Sequence, residues 1–387
     1  MRALPYRLPP PVGGRVDLLL VAGEHSGDAH AALAVRGLLE RAPGLAVAAV
    51  GGPALAAAGA QLLHDLTASS VVGIVEVLKN FSFFRALHAE ILRWIEHYRP
   101  RAVCLVDYPG FNLRLADSLR ARGLSVKGGG KIKCLYYISP QIWAWRENRR
   151  FAMARSLDAI AVIFPFEVRC YADTSLPAQF VGHPFVAPGV TLPIGYDPSA
   201  PVLLLPGSRK QAVARIFPVM LAGYGEFAER PAIALYPSEE IAVELRRHLR
   251  AEGEGRVTLR SIGESREAPP LPASAVLTSS GTMSMQCALA GIPGAVVYRA
   301  NPVTYLIGRW LVRVPYLGIA NLLLEKPMYP EYIQGAATPS ALASELRRCL
   351  HDPERRARGA AQAEDLRKAL GQPSGGTAGD WLCRQLG

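Results

Sequence analysis

Polar residues that could carry out chemistry follow several short apolar runs of this chain. Asp107 comes directly after the run Ala102–Val106, which has the composition of a buried parallel strand. A carboxylate at the carboxyl end of such a strand faces the edge of the sheet where ligands bind, and it could act there as a general base toward an alcohol. The same residue could instead cap the next helix or make a structural ion pair. Asp107 is therefore a candidate catalytic residue with a structural alternative.

The loop GEHSGD, residues 23–28, joins the predicted strand Val16–Ala22 to a helical pattern. Its glycines would let a ligand approach the backbone at a helix N-terminus, although the spacing is neither GxGxxG nor that of a Walker A loop. Glu24 and Asp28 would repel a phosphate, so a sugar hydroxyl is the better ligand. In the alternative interpretation the loop is a turn in which Ser26 or Asp28 caps the helix.

Two loops in the second half of the chain suit an anion. The loop Gly207–Arg209 follows the apolar run Val202–Leu205, and the loop Ser280–Thr282 follows the run Ala275–Thr278. The Arg209 guanidinium can hold a diphosphate through two parallel hydrogen bonds, and backbone N–H groups at a helix N-terminus add to such a site. Each motif alone is a weak signal, but together they predict a diphosphate site.

The elements that must position these residues alternate between strands and helices in both halves of the chain. This alternation is typical of a doubly wound α/β fold with parallel sheets. It pauses at the proline-rich stretch Phe185–Pro201, which is the best candidate for a linker. We therefore expect a flexible arm at 1–15, Rossmann-like domains at 16–185 and 186–355, and a helical tail at 356–387 that could pack back on the first domain.

The net charge of +11 would attract nucleic acid, anionic lipid or phosphorylated ligands, or it could belong to a solvated basic face. No aromatic–basic pattern of an RNA-binding domain accompanies it, so we expect no nucleic-acid partner. We expect no transmembrane helix in this chain. The six cysteines form no CxxC pair, which favours reduced thiols in a cytoplasmic protein, and no His/Cys/Asp spacing predicts a metal site.

Two segments suggest contact with a membrane surface. Residues 302–313 place apolar side chains at helical spacing beside arginines, as in an interfacial helix, although a core-facing helix is the alternative. The aromatic run 81–84, flanked by Lys79 and Arg85, offers a second apolar and basic patch. We therefore expect reversible, peripheral attachment to anionic membranes, at the inner face of the cytoplasmic membrane.

Taken in order, these motifs resemble those of the lipid-A-disaccharide synthase family. Order and spacing are kept from about residue 16 to residue 350. The matching stretches are VAGEHSGD at 21–28, VVGIVEVL at 71–78, VDYPGFN at 106–112, YYISPQIWAWR at 136–146, FPFE at 164–167, VGHP at 181–184, LLPGSR at 204–209, SSGTMSMQCALAGIP at 279–293, the stretch 298–324, and PEYIQ at 330–334.

The resemblance implies a GT-B glycosyltransferase with two facing Rossmann-like domains and an interdomain cleft. It implies transfer of 2,3-diacylglucosamine from UDP to 2,3-diacylglucosamine 1-phosphate (lipid X), with inversion, giving a β-1,6-linked disaccharide and UDP without a metal or cofactor. Such a displacement needs a base for the acceptor hydroxyl and charge stabilisation for UDP, and Asp107 matches the family's base. The donor side is expected at Gly207, Ser208, Arg209, Ser280, Gly281, Thr282, Gln286 and Asn321, and the acceptor side at Glu24, Ser26, Gly27, Asp28, Ser139 and Trp143.

The chain departs from the family pattern at four positions. Gln286 replaces a glutamate expected to bind the donor ribose, Ala212 an acid after the GSR motif, His25 an alanine, and Gly110 an acid. These changes leave two other functions open. One is a GT-B enzyme acting on a different UDP-sugar as transferase or epimerase, and the other is a non-catalytic glycolipid-binding relative. An oligomer is compatible with the sequence.

Overall fold

The computed structural model describes residues 7–69, 81–252, 256–262, 269–301, 305–306, 310, 314–373 and 375–387. The chain divides into two compact units. The first unit extends to Pro184 and is completed by Gln372–Gly387, and the second unit is Phe185–Gly371.

The first unit is built on a parallel sheet. Its strands are β1 (Leu18–Ala22), β2 (Val47–Gly51), β3 (Gln61–Asp65), β4 (Ala102–Val106), β5 (Lys133–Tyr137), β6 (Ala159–Val162) and β7 (Ala178–Phe180). They lie in the order β3-β2-β1-β4-β5-β6-β7. β1 and β4 are buried along their whole length, as expected of apolar strands covered on both faces. The strand order reverses between β1 and β4, and the carboxyl edge of such a switch point is where open α/β sheets bind ligands.

The helices of this part of the first unit connect the strands in the way that a parallel sheet requires. They are α1 (His25–Arg41), α2 (Pro53–Ala57), α3 (Phe81–Tyr98), α4 (Pro109–Ala121), α5 (Ile142–Trp145) and α6 (Arg149–Ser156). α4 begins with Pro109, whose missing N–H costs nothing in the first helical turn.

The segment from residue 7 onward does not form the flexible arm that the sequence predicted. Leu8 is buried, and its amide donates a hydrogen bond of 2.8 Å to the carboxylate of Glu90 on α3. The indole N–H of Trp94, on the same helix, donates to the carbonyl of Pro9 at 2.8 Å. Both contacts join residues far apart in the chain, and local composition therefore did not reveal them.

The second unit repeats the architecture. Its strands are β8 (Ile194–Tyr196), β9 (Val202–Leu205), β10 (Ala232–Tyr236), β11 (Val257–Ser261), β12 (Leu271–Ala273), β13 (Ala275–Thr278), β14 (Gly294–Tyr298) and β15 (Glu331–Ile333). One sheet has the order β11-β10-β9-β13-β14-β15, and β8 pairs with β12 separately. The helices are α7 (Lys210–Phe227), α8 (Glu239–Glu252), α9 (Thr282–Leu289), α10 (Ile319–Leu324), α11 (Pro339–His351) and α12 (Pro353–Gly371).

The C-terminal region is shared between the two units. α12 stays with the second unit, where the buried guanidinium of Arg355 pairs with buried Glu345 at 3.2 Å. The last helix, α13 (Ala378–Leu386), lies against α1 in the first unit, and a Cβ on Gly379 would come within 2.7 Å of the Gly37 backbone. The return to the first unit therefore begins at Gln372, later than the expected boundary at residue 356.

Candidate active site

Asp107 stands directly after β4, and the backbone there is held in an unfavourable conformation. Asp107 has a φ of 46° and Tyr108 a φ of 49°, so two consecutive non-glycine residues occupy the left-handed region. Each such residue costs on the order of 1–3 kcal/mol, and such conformations concentrate at functional sites. The turn re-aims the chain between the end of β4 and the start of α4.

Buried hydrogen bonds hold this turn in place. The side-chain amide of Asn112, which is fully buried, donates to the carbonyls of Val106 at 3.0 Å and Asp107 at 2.8 Å. The Tyr136 hydroxyl donates to the same Asp107 carbonyl at 2.7 Å, and the Asp107 amide donates to Tyr137 at 2.9 Å. The backbone of Asp107 is thus tied to both neighbouring elements, while its carboxylate takes no part in these bonds.

The carboxyl group of Asp107 has a raised pKa. Burial, together with the negative charge of Glu24 at the end of β1, raises its pKa from 3.8 to about 6, against a lowering hydrogen bond from the Tyr108 amide. A base with a pKa near the working pH is ionised and still accepts a proton readily. The two carboxylates come from the two strands that flank the switch point.

The first glycine of the GEHSGD loop serves packing. A Cβ on Gly23 would lie 2.3 Å from the ring of Tyr108, so only glycine lets this ring cover the end of β1. Glu24 is exposed and precedes α1 in an extended conformation. Ser26 is half-buried, and a Cβ on Gly27 would make only ordinary contacts at 3.9 Å.

Asp28, expected on the acceptor side, has an anchoring role instead. It is 2% exposed, and its carboxylate accepts hydrogen bonds from the amides of Gly52 at 2.8 Å, Ala54 at 2.9 Å and Leu55 at 3.2 Å. These are the free amides at the start of α2, where a carboxylate is favourable. Both oxygens are used within the protein, so Asp28 is withdrawn from the set of ligand-binding residues.

Ser139 and Trp143 follow β5, and each contacts a buried polar side chain. The Ser139 hydroxyl is buried and lies 2.7 Å from the hydroxyl of Tyr171, which makes it a structural residue. Trp143 is half-buried, and its indole N–H donates to Glu167 at 3.2 Å. Trp143 therefore keeps part of its ring surface available, whereas Ser139 does not fit its expected acceptor role.

Glu167 is a buried acid close enough to Asp107 for the two charges to interact, and the sequence did not single it out. It is 1% exposed, and burial raises its pKa to about 8, although hydrogen bonds from the Phe164 amide and the Trp143 indole lower it and the charge of Asp107 adds a smaller upward effect. Its carboxyl group therefore carries a proton at neutral pH. The signal in the sequence was an acid five residues after an apolar strand, inside the motif FPFE.

Two histidines beside this region are neutral. Burial, together with His30, lowers the pKa of His183 to about 3, and burial lowers the pKa of His30 to about 4. Their rings lie 6.4 Å apart, edge to face. The structure thus agrees with a structural role for His183. In the part of the chain that the structure describes, no cluster of His, Cys, Asp and Glu could hold a metal ion.

The two motifs of the second unit that were predicted to bind an anion lie next to each other. β9 and β13 are neighbours, and the amide of Ser279 donates to the carbonyl of Leu205 at 2.8 Å. Gly207 has a φ of 109°, and a Cβ there would lie 2.9 Å from the Ser279 hydroxyl. The glycine is thus required both for its backbone angle and for the close approach of the two loops.

Exposed donors surround this meeting point. The side chains of Ser208, Arg209, Ser280 and Thr282 are exposed, and Gly281 caps α9. The Ser284 hydroxyl donates to the Gly281 carbonyl at 2.6 Å and so fixes the loop before the helix. Backbone amides at a helix start, hydroxyl groups and a guanidinium are the kinds of group that proteins commonly use for a diphosphate.

Gln286 lies on α9 four residues after Thr282 and so on the same face of the helix. Its side chain is half-buried. Ala212, where the family pattern has an acid, is partly buried on α7 and packs against the core of the second unit. Gln286 therefore lies next to the loop Ser280–Thr282, and Ala212 supplies no polar side chain.

Asn321, expected on the donor side, is fully buried and structural. Its amide nitrogen donates to the Tyr329 carbonyl at 2.7 Å and to Glu331 at 2.9 Å, while its oxygen accepts from the amides of Met328 and Tyr329, each at 2.9 Å. All of its usual hydrogen-bonding capacity is taken up inside the unit. Asn321 is therefore withdrawn from the set of donor-binding residues.

The segments expected at a membrane are only partly described. Of residues 302–313, the structure describes 305–306 and 310, where the side chains of Leu306 and Trp310 are exposed. Lys79 and the motif at 71–78 lie outside the described residues. Phe83 and Phe84 are partly buried and pack against the core of the first unit, which leaves part of each ring exposed. Among the described helices, none is both long and apolar enough to span a membrane.

Known proteins resemble this chain over nearly its whole length. The family model for lipid-A-disaccharide synthetase matches residues 18–378. The lipid-A-disaccharide synthase of Geobacter metallireducens is 36% identical over 373 residues, which are 93% of this chain and 94% of the relative.

Solved structures share the fold at low identity. The glycotransferase of kitacinnamycin has a TM-score of 0.56 at 17% identity, covering 96% of this chain and 100% of its own. The UDP-GlcNAc 2-epimerase of Neisseria meningitidis has a TM-score of 0.57 at 9% identity, covering 92% and 99%. These likenesses show the GT-B fold, and the family match over nearly the whole chain shows that this protein belongs to the lipid-A-disaccharide synthase family.

Proposed function

We propose that this protein transfers 2,3-diacylglucosamine from UDP-2,3-diacylglucosamine to the 6-hydroxyl of 2,3-diacylglucosamine 1-phosphate. The acceptor oxygen attacks the anomeric carbon, the bond from that carbon to the diphosphate breaks, and UDP leaves. The products are a β-1,6-linked disaccharide and UDP. The observation that carries the proposal is the strained, hydrogen-bonded Asp107 turn in a chain of this family.

Asp107 is the base in this proposal. Its carboxylate takes the proton of the acceptor hydroxyl as the new bond forms, and its raised pKa suits that transfer at neutral pH. The hydrogen bonds from Asn112 and Tyr136 keep the backbone in place, so the carboxylate is positioned before substrate binds. The protonated carboxyl of Glu167 adds no further negative charge to those of Asp107 and Glu24.

The donor is held by the second unit. The charge that develops on UDP is balanced by three kinds of group. They are the guanidinium of Arg209, the amides at the start of α9, and the hydroxyls of Ser208, Ser280 and Thr282. Gly207 and Gly281 let the diphosphate approach the backbone, and Gln286 takes the donor ribose. On the acceptor side, we retain Glu24, Ser26, Gly27 and Trp143.

Peripheral attachment to an anionic membrane, at the inner face of the cytoplasmic membrane, follows from the acylated substrates proposed here. The exposed side chains of Leu306 and Trp310 support this part of the proposal. The net charge of +11 favours an anionic surface.

The direct test is to incubate the protein with both acylated substrates and to follow the disaccharide by mass spectrometry and UDP by a coupled assay. The variant Asp107→Asn keeps the shape of the side chain and removes the base, so we expect its turnover to fall by about two to four orders of magnitude with unchanged UDP affinity. Near-normal turnover of this variant would refute the assignment of the base. UDP release only with a non-acylated acceptor would favour a different transferase, and absence of UDP binding would favour a non-catalytic relative.

A further inference from the structure

A cavity lies in the first unit, next to the Asp107 turn. Its volume is about 330 Å³, at the lower end of the range for small-ligand pockets. The cavity is lined by the first turns of α4, by the residue directly after α5, and by α6. The lining residues that matter to its chemistry are Pro109, Gly110, Arg114, Asp117, Arg146 and Arg149.

The cavity gathers positive charge that the protein does not neutralise. Within the described residues, no salt bridge joins Arg114, Arg146 or Arg149 to a carboxylate. The neighbouring Arg150, by contrast, is fully engaged, with two hydrogen bonds of 2.7 Å to Asp173. Three guanidinium groups without partners at one cavity repel one another unless an anion joins them.

The acid in the cavity does not cancel this charge. Asp117 accepts a hydrogen bond of 2.6 Å from Ser156, which in turn accepts one from Arg120 at 3.2 Å. This leaves one carboxylate against three guanidinium groups. Arg146 stacks on Trp145, with its central carbon 4.1 Å from the ring centroid, and a stacked guanidinium keeps its N–H edge for an oxyanion.

The cavity adjoins the proposed base. Pro109 and Gly110 follow the strained turn directly and form the start of α4, where the helix dipole adds partial positive charge. Arg149 lies close enough to Tyr136 for its charge to lower the pKa of that phenol, against the larger raising effect of burial. The Tyr136 hydroxyl is the group that donates to the Asp107 carbonyl.

We propose that this cavity binds the phosphate monoester of the acceptor sugar, through Arg114, Arg146 and Arg149. The proposal rests on the function proposed above and adds a specificity site to it: the enzyme recognises a phosphorylated acceptor, and the phosphate orients the sugar whose hydroxyl meets Asp107. A doubly charged phosphate monoester suits three converging guanidinium groups better than the single charge of a phosphodiester headgroup does.

The test compares two acceptors, 2,3-diacylglucosamine with and without its 1-phosphate, on the wild type and on Arg149→Gln. We expect the variant to raise the KM for the phosphorylated acceptor by about 10- to 100-fold, the range for a lost charged hydrogen bond, with the donor KM unchanged. With the unphosphorylated acceptor, the two proteins should have equal KM values. Arg149→Lys keeps the charge and should recover part of the affinity.

Arg155→Gln is the matched control, because Arg155 lies on the same helix, is exposed and does not line the cavity. It should leave both KM values unchanged. The proposal would be overturned if Arg149→Gln raised the KM for both acceptors equally. It would also be overturned if Arg155→Gln raised the KM for the phosphorylated acceptor as much as Arg149→Gln does. Loss of flotation with phosphatidylglycerol vesicles in Arg149→Gln, with an unchanged acceptor KM, would assign the cavity to a lipid surface and would also overturn it.

The failure of the proposed function is seen separately, as absence of disaccharide from the wild type. In that case calorimetric titration with glucosamine 1-phosphate still tests the cavity. Binding that is lost in Arg149→Gln and kept in Arg155→Gln would support the phosphate site without the reaction, and equal titrations of all three proteins would refute it.

Discussion

The charge of Glu24 should set part of the pH dependence of this enzyme. The pKa of Asp107 rises from 3.8 to about 6, with burial as the larger cause and Glu24 as the next. Glu24→Gln removes the second cause and leaves the first. We therefore expect the acid limb of kcat/KM, near pH 6 in the wild type, to move to lower pH by at most about 1 pH unit, equivalent to at most about 1.4 kcal/mol.

The assay is kcat/KM for the acceptor between pH 4.5 and 8, at low and at high salt. This ratio reports the ionisation of the free enzyme, so the position of the limb is decisive even if the variant also binds acceptor less well. Salt should reduce the difference between the two proteins, because Glu24 is exposed and its charge is screened.

Glu40→Gln is the matched control. Glu40 is exposed near the far end of α1, about 24 Å along the helix from Glu24, which is beyond the screening length at physiological salt. Its removal should leave the limb in place. A limb that stays fixed in Glu24→Gln, or that moves to higher pH, would refute the electrostatic coupling between the two carboxyl groups.

Three further results are expected. The raised pKa of Glu167, about 8, means that this group contributes stability below its unfolded value of 4.5 and that the contribution is lost as pH rises through 8. Between pH 6 and pH 9, the free energy of unfolding should therefore fall less in Glu167→Gln than in the wild type, by up to a few kcal/mol. Urea titrations at several pH values measure this difference. Equal losses in the two proteins would contradict a buried, protonated carboxyl at Glu167. Gln286→Glu should tighten UDP binding about five- to tenfold in calorimetry, since a charged acceptor bonds the ribose hydroxyls more strongly than a neutral amide, and weaker binding would remove Gln286 from the ribose site. The protein should float with anionic vesicles at low salt and less at high salt, and Trp310→Ser should weaken flotation further; no flotation at low salt would end the membrane proposal.

The alternation of strands and helices was predictable because parallel strands buried on both faces must be continuous apolar runs, such as Leu18–Ala22. The meeting of the loops at Gly207 and Ser280 followed from the same logic, since loops after neighbouring strands share one edge of a sheet. The family resemblance was likewise visible in the order of the motifs, and the family match confirms it.

Some side chains can bind either a ligand or a backbone amide, and the sequence could not predict which of the two partners each one has. Asp28 and Asn321 both stand in matching motifs, yet their partners are amides brought close by folding. Glu167 was passed over for the opposite reason, because its burial, and so its raised pKa, depends on side chains from other elements. The strain at Asp107 is also invisible in the sequence, since no glycine marks its positive φ.

The return of α13 to the first unit bears on how the protein is made. The ribosome makes α1 well before Ala378–Leu386. The surface around Gly37 and the side chain of Trp381, only 2% exposed when folded, therefore cannot meet until the whole second unit has been made. The second unit is a continuous stretch, Phe185–Gly371, and can close earlier. We expect the first unit, although it is begun earlier, to complete its folding after the second unit, and a nascent chain stalled before residue 378 to be a substrate for chaperones.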